Sequence, residues 1–306
     1  MQQFDPTIDA EEIKSSICGP VSLGKLINII ANRSNSQRQL ILYSYETKYN
    51  SELINDVKPL VNKNFFKLFK ALFQSPVDYD CYQLREAVAG FGTNRDTLIE
   101  ILSTRSNVRI MDIKKRYPEL NYGKELSKEI ESNTSGHLRV ILLKLLECGR
   151  PSNSTLDENE CKNCAIKLNK AEIVKKGFEQ EIINIFTEKS KKEFVFITQL
   201  YYKIYGKTLL QLVDHLFSGD VKKVFTTIIY ALLSPSEYFA HRINKSIKGF
   251  LTNNDVLIRT LISRDEIDIG RIKRYYKQLY NKDLYTEINE NFKGEYRNLL
   301  LALIGK

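Results

Sequence analysis

Long apolar runs and tryptophan are both missing from the 306-residue chain. No segment approaches the roughly 18 consecutive apolar residues that a membrane-spanning helix requires. The first six residues, MQQFDP, lack the basic and apolar regions of a secretory signal peptide. These absences argue against an integral membrane protein, and we expect a soluble protein of the cytoplasm.

Cysteine and histidine are too few and too scattered for an obvious metal or disulfide framework. The five cysteines are odd in number and mostly dispersed. Cys161 and Cys164 form a C-x-x-C pair, but a structural zinc ion would need two further ligands. The histidines, which show no ligand-like spacing, are His137, His215 and His241. We therefore predict that the paired cysteines are reduced thiols on a helix.

Signatures of catalysis are also missing, since the chain contains neither a nucleophile elbow nor a Walker phosphate loop, and we predict that it is not an enzyme.

Positive charge is in excess, with a net charge of +9 and a pI near 9.1. A basic protein favours anionic partners such as phospholipid headgroups, nucleic acid or acidic filaments. The basic residues are spread along the chain rather than grouped, so nucleic acid is the weakest of these options and is not predicted.

One strongly apolar segment recurs four times and predicts four buried core helices. The copies are residues 65–73, 138–146, 224–233 and 296–304. The spacing is longest between the second and third copies, where the polar stretch 151–155 has the composition of a linker between two halves. β-strand signals are almost absent. We therefore predict an all-α fold with about five helices in each of four repeats: residues 1–76, 77–150, 151–234 and 235–306.

A second marker lies near the middle of each repeat, where a cation is followed by a helix-capping residue. The copies are 33–35, 105–107, 189–191 and 264–266. The cation suits the negative end of the first helix dipole, and Ser or Asp can accept from the free amides of the next helix. Ser34 with Gln37, and Ser190 with Glu193, have the spacing of a capping box.

The most specific stretch runs from Ala89 to Gly136 and resembles the annexin repeat. It contains a G-x-G-T loop, the helix D-T-L-I-E-I-L, the R-S-N junction and a distal N-T-S-G loop. The resemblance covers essentially the whole chain. It implies that the four repeats pack as a slightly curved disc, with the interhelix loops on the convex face. It also implies that the N-terminal head of annexins is nearly absent, and we expect a monomer in solution.

The resemblance further implies a calcium site in repeat two. The carbonyl groups of Val88, Gly90 and Gly92 fall on the ligand positions, but the distal acid position falls on Asn133. An amide supplies one neutral oxygen, so we predict weak affinity, on the order of millimolar or worse without lipid. The alternative is that the two glycines only form a tight turn between helices.

A second, more doubtful site falls in repeat four. Its ligands would be Ile247, Gly249, Leu251 and Glu290, since the distal position itself is Asn291. Leu251 replaces the second glycine of the loop, and Glu290 would require a shift of one residue. We expect no site in repeats one and three, because Leu60 lies near the acid position of repeat one and Leu216 occupies that of repeat three.

Two functions are compatible with this sequence. The first is a peripheral membrane protein that binds anionic phospholipid with weak or partly lost calcium dependence, assisted by the basic residues Arg95, Lys176 and Lys248. The second is a structural protein of the cytoskeleton that binds filaments or microtubules, similar to the alpha-giardins. Both functions place the protein in the cytoplasm, peripheral to the plasma membrane or to the cytoskeleton.

Overall fold

The computed structural model describes residues 4–89, 92–121 and 123–305, and these residues form α-helices and connecting loops without a β-strand. Repeat one contains α1 (Pro6–Ile17), α2 (Leu23–Ala31), α3 (Asn35–Tyr49), α4 (Leu53–Val57) and α5 (Lys63–Leu72), with a short 3-10 turn at Lys58–Leu60. Repeat two contains α6 (Pro76–Ala89), α7 (Arg95–Thr104), α8 (Asn107–Leu120), α9 (Leu126–Asn133) and α10 (Gly136–Glu147).

The second half of the chain follows the same pattern. Repeat three contains α11 (Glu158–Val174), α12 (Glu179–Glu188), α13 (Lys191–Tyr205), α14 (Leu209–Leu216) and α15 (Gly219–Leu233). Repeat four contains α16 (Pro235–Lys248), α17 (Asn254–Arg264), α18 (Ile269–Tyr280), α19 (Leu284–Asn291) and α20 (Gly294–Ile304). The prediction of an all-α fold with five helices per repeat is confirmed. No described helix is both long enough and apolar enough to cross a bilayer.

The chain divides into two compact units, and the division differs from the predicted halves. One unit joins Met1–Tyr79 to Ser236–Lys306, and the other is Asp80–Pro235. Repeats one and four therefore share a unit, as do repeats two and three. The polar stretch 151–155 lies inside the second unit, so the prediction that it links two halves is wrong. Side-chain packing, which a linear pattern does not reveal, decides which repeats associate.

In the unit formed by repeats one and four, α2 packs against α20, and α5 packs against α17 and α20. The predicted core helices α5 and α20 carry fully buried residues such as Phe65, Phe69 and Leu299. Burying a Phe or Leu side chain stabilises the fold by about 1.5–3 kcal/mol. The apolar segments of the first and last repeats are therefore what hold the two ends of the chain in one unit.

In the unit formed by repeats two and three, α7 packs against α15, and α10 packs against α12 and α15. The ring of Phe186 lies 4.7 Å from that of Phe225 and 5.2 Å from that of Phe194, edge to face in both cases. Such aromatic pairs add about 0.5–1.5 kcal/mol beyond area burial. Cys161 and Cys164 lie on α11, where both are buried free thiols. Burial raises the pKa of Cys164 to about 11, which keeps this thiol protonated.

Capping at the mid-repeat junctions agrees with the sequence in three repeats. Ser34 with Gln37, and Ser190 with Glu193, form the predicted capping boxes. Ser106 accepts from the amide of Arg109 at 3.3 Å. These serines satisfy helix amides that would otherwise lack a partner, which contributes about 1 kcal/mol each.

The fourth junction differs, because Asp265 continues the helical backbone of α17 and does not cap α18. Asp268 precedes α18 but makes no side-chain cap. Its carboxylate instead accepts from Arg264 at 2.7 Å and from Ser236 at 2.6 Å. The prediction that Asp265 caps α18 is wrong because Asp265 has a helical backbone, and the carboxylate of Asp268, which does precede α18, is already used by Arg264 and Ser236.

The junction cation forms an ion pair with a carboxylate in every repeat. The pairs are Arg33–Asp9 at 2.9 Å, Arg105–Asp80 at 2.8 Å, Lys189–Glu160 at 3.0 Å and Arg264–Asp268 at 2.7 Å. In the Arg105–Asp80 pair both side chains are almost completely buried. In the first three repeats the partner lies on the first helix of the repeat and ties the junction to that helix, whereas in repeat four the pair stays within the junction. The spacing of residues in the sequence did not identify these partners.

Candidate functional site

The first loop of repeat two connects α6 to α7 and carries the predicted ligands Val88 and Gly92. Val88 is buried at the end of α6. Gly92 has a φ of +89°, a backbone angle that residues other than glycine rarely adopt. The amide of Asn94 donates to the carbonyl oxygen of Ala87 at 2.8 Å, which closes the base of the loop. Gly90 lies outside the described residues, so its ligand role stays a prediction.

The distal loop of repeat two lies against this first loop through Thr93. The hydroxyl of Thr93 donates to the main-chain oxygen of Asn133 at 3.1 Å and lies 3.4 Å from its side-chain oxygen. The amide nitrogen of Asn133 donates to the carbonyl oxygen of Glu129 at 2.8 Å. Because the nitrogen is turned toward its own helix, the side-chain oxygen faces the first loop. The structure therefore brings Asn133 beside the described part of that loop, with its side-chain oxygen 3.4 Å from the Thr93 hydroxyl.

The first loop of repeat four is held by close backbone contacts. A Cβ atom on Gly249 would lie 2.8 Å from the carbonyl oxygen of Lys245, so only glycine is accommodated. The amide of Asn253 donates to the carbonyl oxygen of Ser246 at 2.7 Å and closes the loop. Ile247 is buried and Leu251 is exposed. The loop keeps a close turn although its second glycine is replaced.

The carboxylate beside the repeat-four loop is Glu287, which the sequence analysis did not select. The ammonium group of Lys248 lies 2.8 Å from Glu287 Oε1, and the side-chain nitrogen of Asn291 lies 2.5 Å from the same atom. The predicted ligand Glu290 instead pairs with Lys282 at 2.5 Å. A usable signal was present, since Glu287 precedes Asn291 by four residues and shares its helix face.

Electrostatics keep Glu287 charged. Burial raises the pKa of Glu287. The hydrogen-bonded ammonium of Lys248 and the charge of Lys282 together outweigh burial, so the pKa of Glu287 lies below its usual range. An ionised buried carboxylate is stable only with such partners. A divalent cation entering this loop would therefore have to displace an ammonium group that is already in place.

Repeats one and three present no carboxylate at the distal position. Leu60 lies in the 3-10 turn and Leu216 ends α14. The acid nearest to Leu60 in the sequence, Asp56, accepts from Tyr45 at 2.7 Å and Lys14 at 3.3 Å. Among the described residues there is no cluster of three or more acidic, histidine or cysteine side chains that could hold a metal ion.

The three basic residues predicted to contact lipid have different surroundings. Arg95 pairs with Asp220 at 3.0 Å, and Lys248 pairs with Glu287 as described above. Lys176 is exposed between α11 and α12, and the described parts of the chain contain no ion pair with it. Of the three cations, Lys176 is therefore the one whose charge is least compensated by the described residues.

These observations define an all-helical four-repeat protein in which a glycine-containing interhelix loop meets a distal loop about forty residues later. The Annexin family model matches residues 8–72, 79–145, 164–228 and 238–303. The chain belongs to the annexin family, whose members generally bind phospholipid in a calcium-dependent manner.

Relatives with curated descriptions support the same assignment. Human annexin A7 is 34% identical over 305 residues, which cover 99% of this chain and 62% of that protein. Mouse annexin A13 is 32% identical over 303 residues, which cover 98% of this chain and 95% of that protein. The chain therefore spans about three fifths of annexin A7 and nearly all of annexin A13.

Solved structures share the fold. The structure of annexin III has a TM-score of 0.94 at 33% identity and covers 100% of this chain and 95% of that one. The calcium-bound structure of alpha-14 giardin has a TM-score of 0.87 at 20% identity, covering 98% and 99% of the two chains. At that identity the giardin shares the fold with this chain, and the likeness carries no further conclusion.

Proposed function

We propose that this protein docks on anionic phospholipid membranes and that calcium promotes the docking weakly, through the loops of repeat two. The observation that carries the proposal is the side-chain oxygen of Asn133, which faces the first loop across Thr93. With the carbonyl groups of Val88, Gly90 and Gly92, it would supply oxygen ligands to a hard cation. Calcium supplies a dication whose remaining coordination positions accept phosphate oxygens of the lipid.

The proposed calcium affinity is low because the described part of repeat two offers an amide where a carboxylate would bind more tightly. Calcium affinity rises with the number of charged ligands, and Asn133 contributes none. Repeat four offers a charged residue, Glu287, but Lys248 neutralises it at 2.8 Å. Net basic charge then supplies part of the attraction to the membrane, at roughly 1 kcal/mol for each Lys or Arg near an anionic surface.

Co-sedimentation with vesicles tests this proposal. We expect binding to phosphatidylserine vesicles in the presence of a chelator at low salt, and stronger binding in millimolar calcium. Vesicles of phosphatidylcholine alone serve as the matched control and should bind little protein. Absence of binding to phosphatidylserine in both conditions would overturn the proposal. On the same reading the protein acts without catalysing a reaction, as a monomer at the cytoplasmic face of the plasma membrane.

A second candidate function is attachment to cytoskeletal filaments. The net charge of +9 favours a partner with an acidic protein surface. Because the distal residue Asn133 is neutral, this binding would not depend on calcium. Pelleting with microtubules in a chelator and without lipid, lost at high salt, would support this function. Failure to pellet, together with tight binding to anionic vesicles, would exclude it.

A further inference from the structure

The unit formed by repeats two and three contains a cavity of about 360 Å³. It lies at the end of α7 opposite to the loop of the proposed calcium site, and leucine and isoleucine side chains of α7, α10 and α15 form its apolar wall. Cavities of this size, largely apolar with a few polar groups, are the usual form of small-molecule sites. None of its described lining residues is acidic, and the basic ones are Arg105, Lys144, Arg150 and Lys191.

The four cations of this cavity differ in how far their charge is already compensated. Arg105 and Lys144 pair with carboxylates, whereas Arg150 and Lys191 form no ion pair with a described residue. The guanidinium of Arg150 donates to two carbonyl oxygens at the end of α12. Burial lowers the pKa of Arg150 to about 10 against the opposing charge of Glu193, so Arg150 is still charged at neutral pH. The cavity therefore carries positive charge that an anionic ligand would offset.

Two hydrogen-bond donors without partners line the same cavity. The main-chain amide of Asn107, the first residue of α8, donates to no described residue, as is usual for the first turn of a helix. The hydroxyl oxygen of Ser103 is buried and has no hydrogen-bond partner among the described residues. Buried polar groups are normally paired, so these donors indicate that an acceptor is missing from this place.

The unit formed by repeats one and four shows which acceptor fills the corresponding place. Asn35 begins α3 as Asn107 begins α8, and the side chain of each donates to two carbonyl oxygens near the end of the last helix of its repeat. The main-chain amide of Asn35, however, donates to the carboxylate of Glu266. At the corresponding position of its own mid-repeat junction, repeat three has Lys191. One unit thus supplies a carboxylate to this amide, and the other presents a cation beside a cavity.

We propose that this cavity binds a small organic carboxylate with an apolar body. The carboxylate group accepts from the amide of Asn107, as Glu266 does at Asn35, and its charge is balanced by Lys191 and Arg150. The apolar body lies against the wall formed by α7, α10 and α15. This site is separate from the calcium loops, and the inference does not rest on the proposed membrane function.

Calorimetric titration of the full chain with octanoate tests the proposal. We expect saturable binding of one octanoate, and binding at least about ten-fold weaker for 1-octanol, which has the same apolar body without the charge. The variant Lys191→Glu places at this amide the carboxylate that the other unit has, and should weaken octanoate binding by at least about ten-fold. The matched control is Lys192→Glu, with the same change of charge at an exposed neighbour that does not line the cavity, and it should bind octanoate like the unmodified protein.

Thermal unfolding shows whether the variants fold. Both should unfold at or slightly above the temperature of the unmodified protein, because a glutamate suits the first turn of α13. The proposal is wrong if millimolar octanoate does not bind, if octanol binds as tightly, or if Lys191→Glu and Lys192→Glu bind octanoate equally well. No vesicles are present in these titrations, so their outcome is independent of the vesicle co-sedimentation that tests the membrane function.

Discussion

Replacing Asn133 with Asp tests the proposed calcium site, since the change adds one negative charge beside the first loop. The side-chain oxygen lies 3.4 Å from Thr93 of that loop, so a carboxylate built on the same backbone can reach the same space. Differences in ligand charge tune calcium affinity across several decades, and we expect a gain of about ten- to a hundred-fold. This gain corresponds to about 1.4–2.7 kcal/mol of binding free energy.

Without calcium the same substitution should destabilise the protein. The amide nitrogen of Asn133 donates to the carbonyl oxygen of Glu129 at 2.8 Å, and loss of that hydrogen bond costs about 0.5–1.5 kcal/mol. A negative charge at the last residue of α9 also opposes the helix dipole, at about 0.3–1 kcal/mol. We therefore expect the calcium-free variant to be less stable than the unmodified protein by about 1–2 kcal/mol.

The expected signature is thus a loss of stability in chelator that calcium reverses. With a dissociation constant of about 0.1–1 mM, about 10 mM calcium would stabilise the variant by about 1.4–2.7 kcal/mol. Titration calorimetry gives the affinity, and thermal unfolding with and without calcium gives the stability. The control is Asn291→Asp in repeat four, where Lys248 already neutralises Glu287, and no gain is expected there. If calcium stabilises Asn133→Asp no more than the unmodified protein, the repeat-two loop is only a turn.

Three further predictions follow from contacts of the same structure. Asp80→Asn removes the carboxylate charge that pairs with the buried guanidinium of Arg105 and should lower the unfolding free energy in urea by about 3–5 kcal/mol. Lys67→Met, at the exposed pair with Asp255, should cost less than about 1 kcal/mol. Lys248 and Lys282 lower the pKa of Glu287 in the folded state, so the stability that this carboxylate contributes is present at neutral pH and is lost as pH falls below about 4.3. In Glu287→Gln the unfolding free energy should therefore depend less on pH in that range. Lys176→Gln removes about 1 kcal/mol of attraction and should weaken vesicle binding about five-fold at low salt.

Sequence reasoning recovered the fold because its determinants are local and repeated. The apolar segments at 65–73 and 296–304 predicted buried helices, and Ser34 and Ser190 predicted helix starts from their spacing alone. It failed at Asp265 because a capping residue and a helix-continuing residue look alike in a linear pattern. The neighbour that removes Asp268 from a capping role, Arg264, becomes visible only when the helices are packed.

Pairing of distant parts was beyond the sequence for a different reason. A repeat pattern shows that units stack, but it does not show that the first repeat joins the last. At the repeat-four loop, the pattern identified Glu290 and Lys248 but not the direction in which either side chain turns. Glu290 pairs with Lys282, while Lys248 reaches Glu287, and these choices depend on rotamers and burial rather than on spacing.

The loops of repeats two and four each lack a different feature of a calcium site, so different substitutions would be needed to strengthen calcium binding in each. In repeat two the oxygen of Asn133 already faces the loop, and what is missing is charge. In repeat four the charge of Glu287 is present, but Lys248 neutralises it and Leu251 replaces a glycine. One substitution, Asn133→Asp, is therefore enough to test the loop of repeat two. The loop of repeat four would need two changes together: removal of the Lys248 ammonium group and a glycine in place of Leu251. We infer that any calcium response of the unmodified protein comes from repeat two.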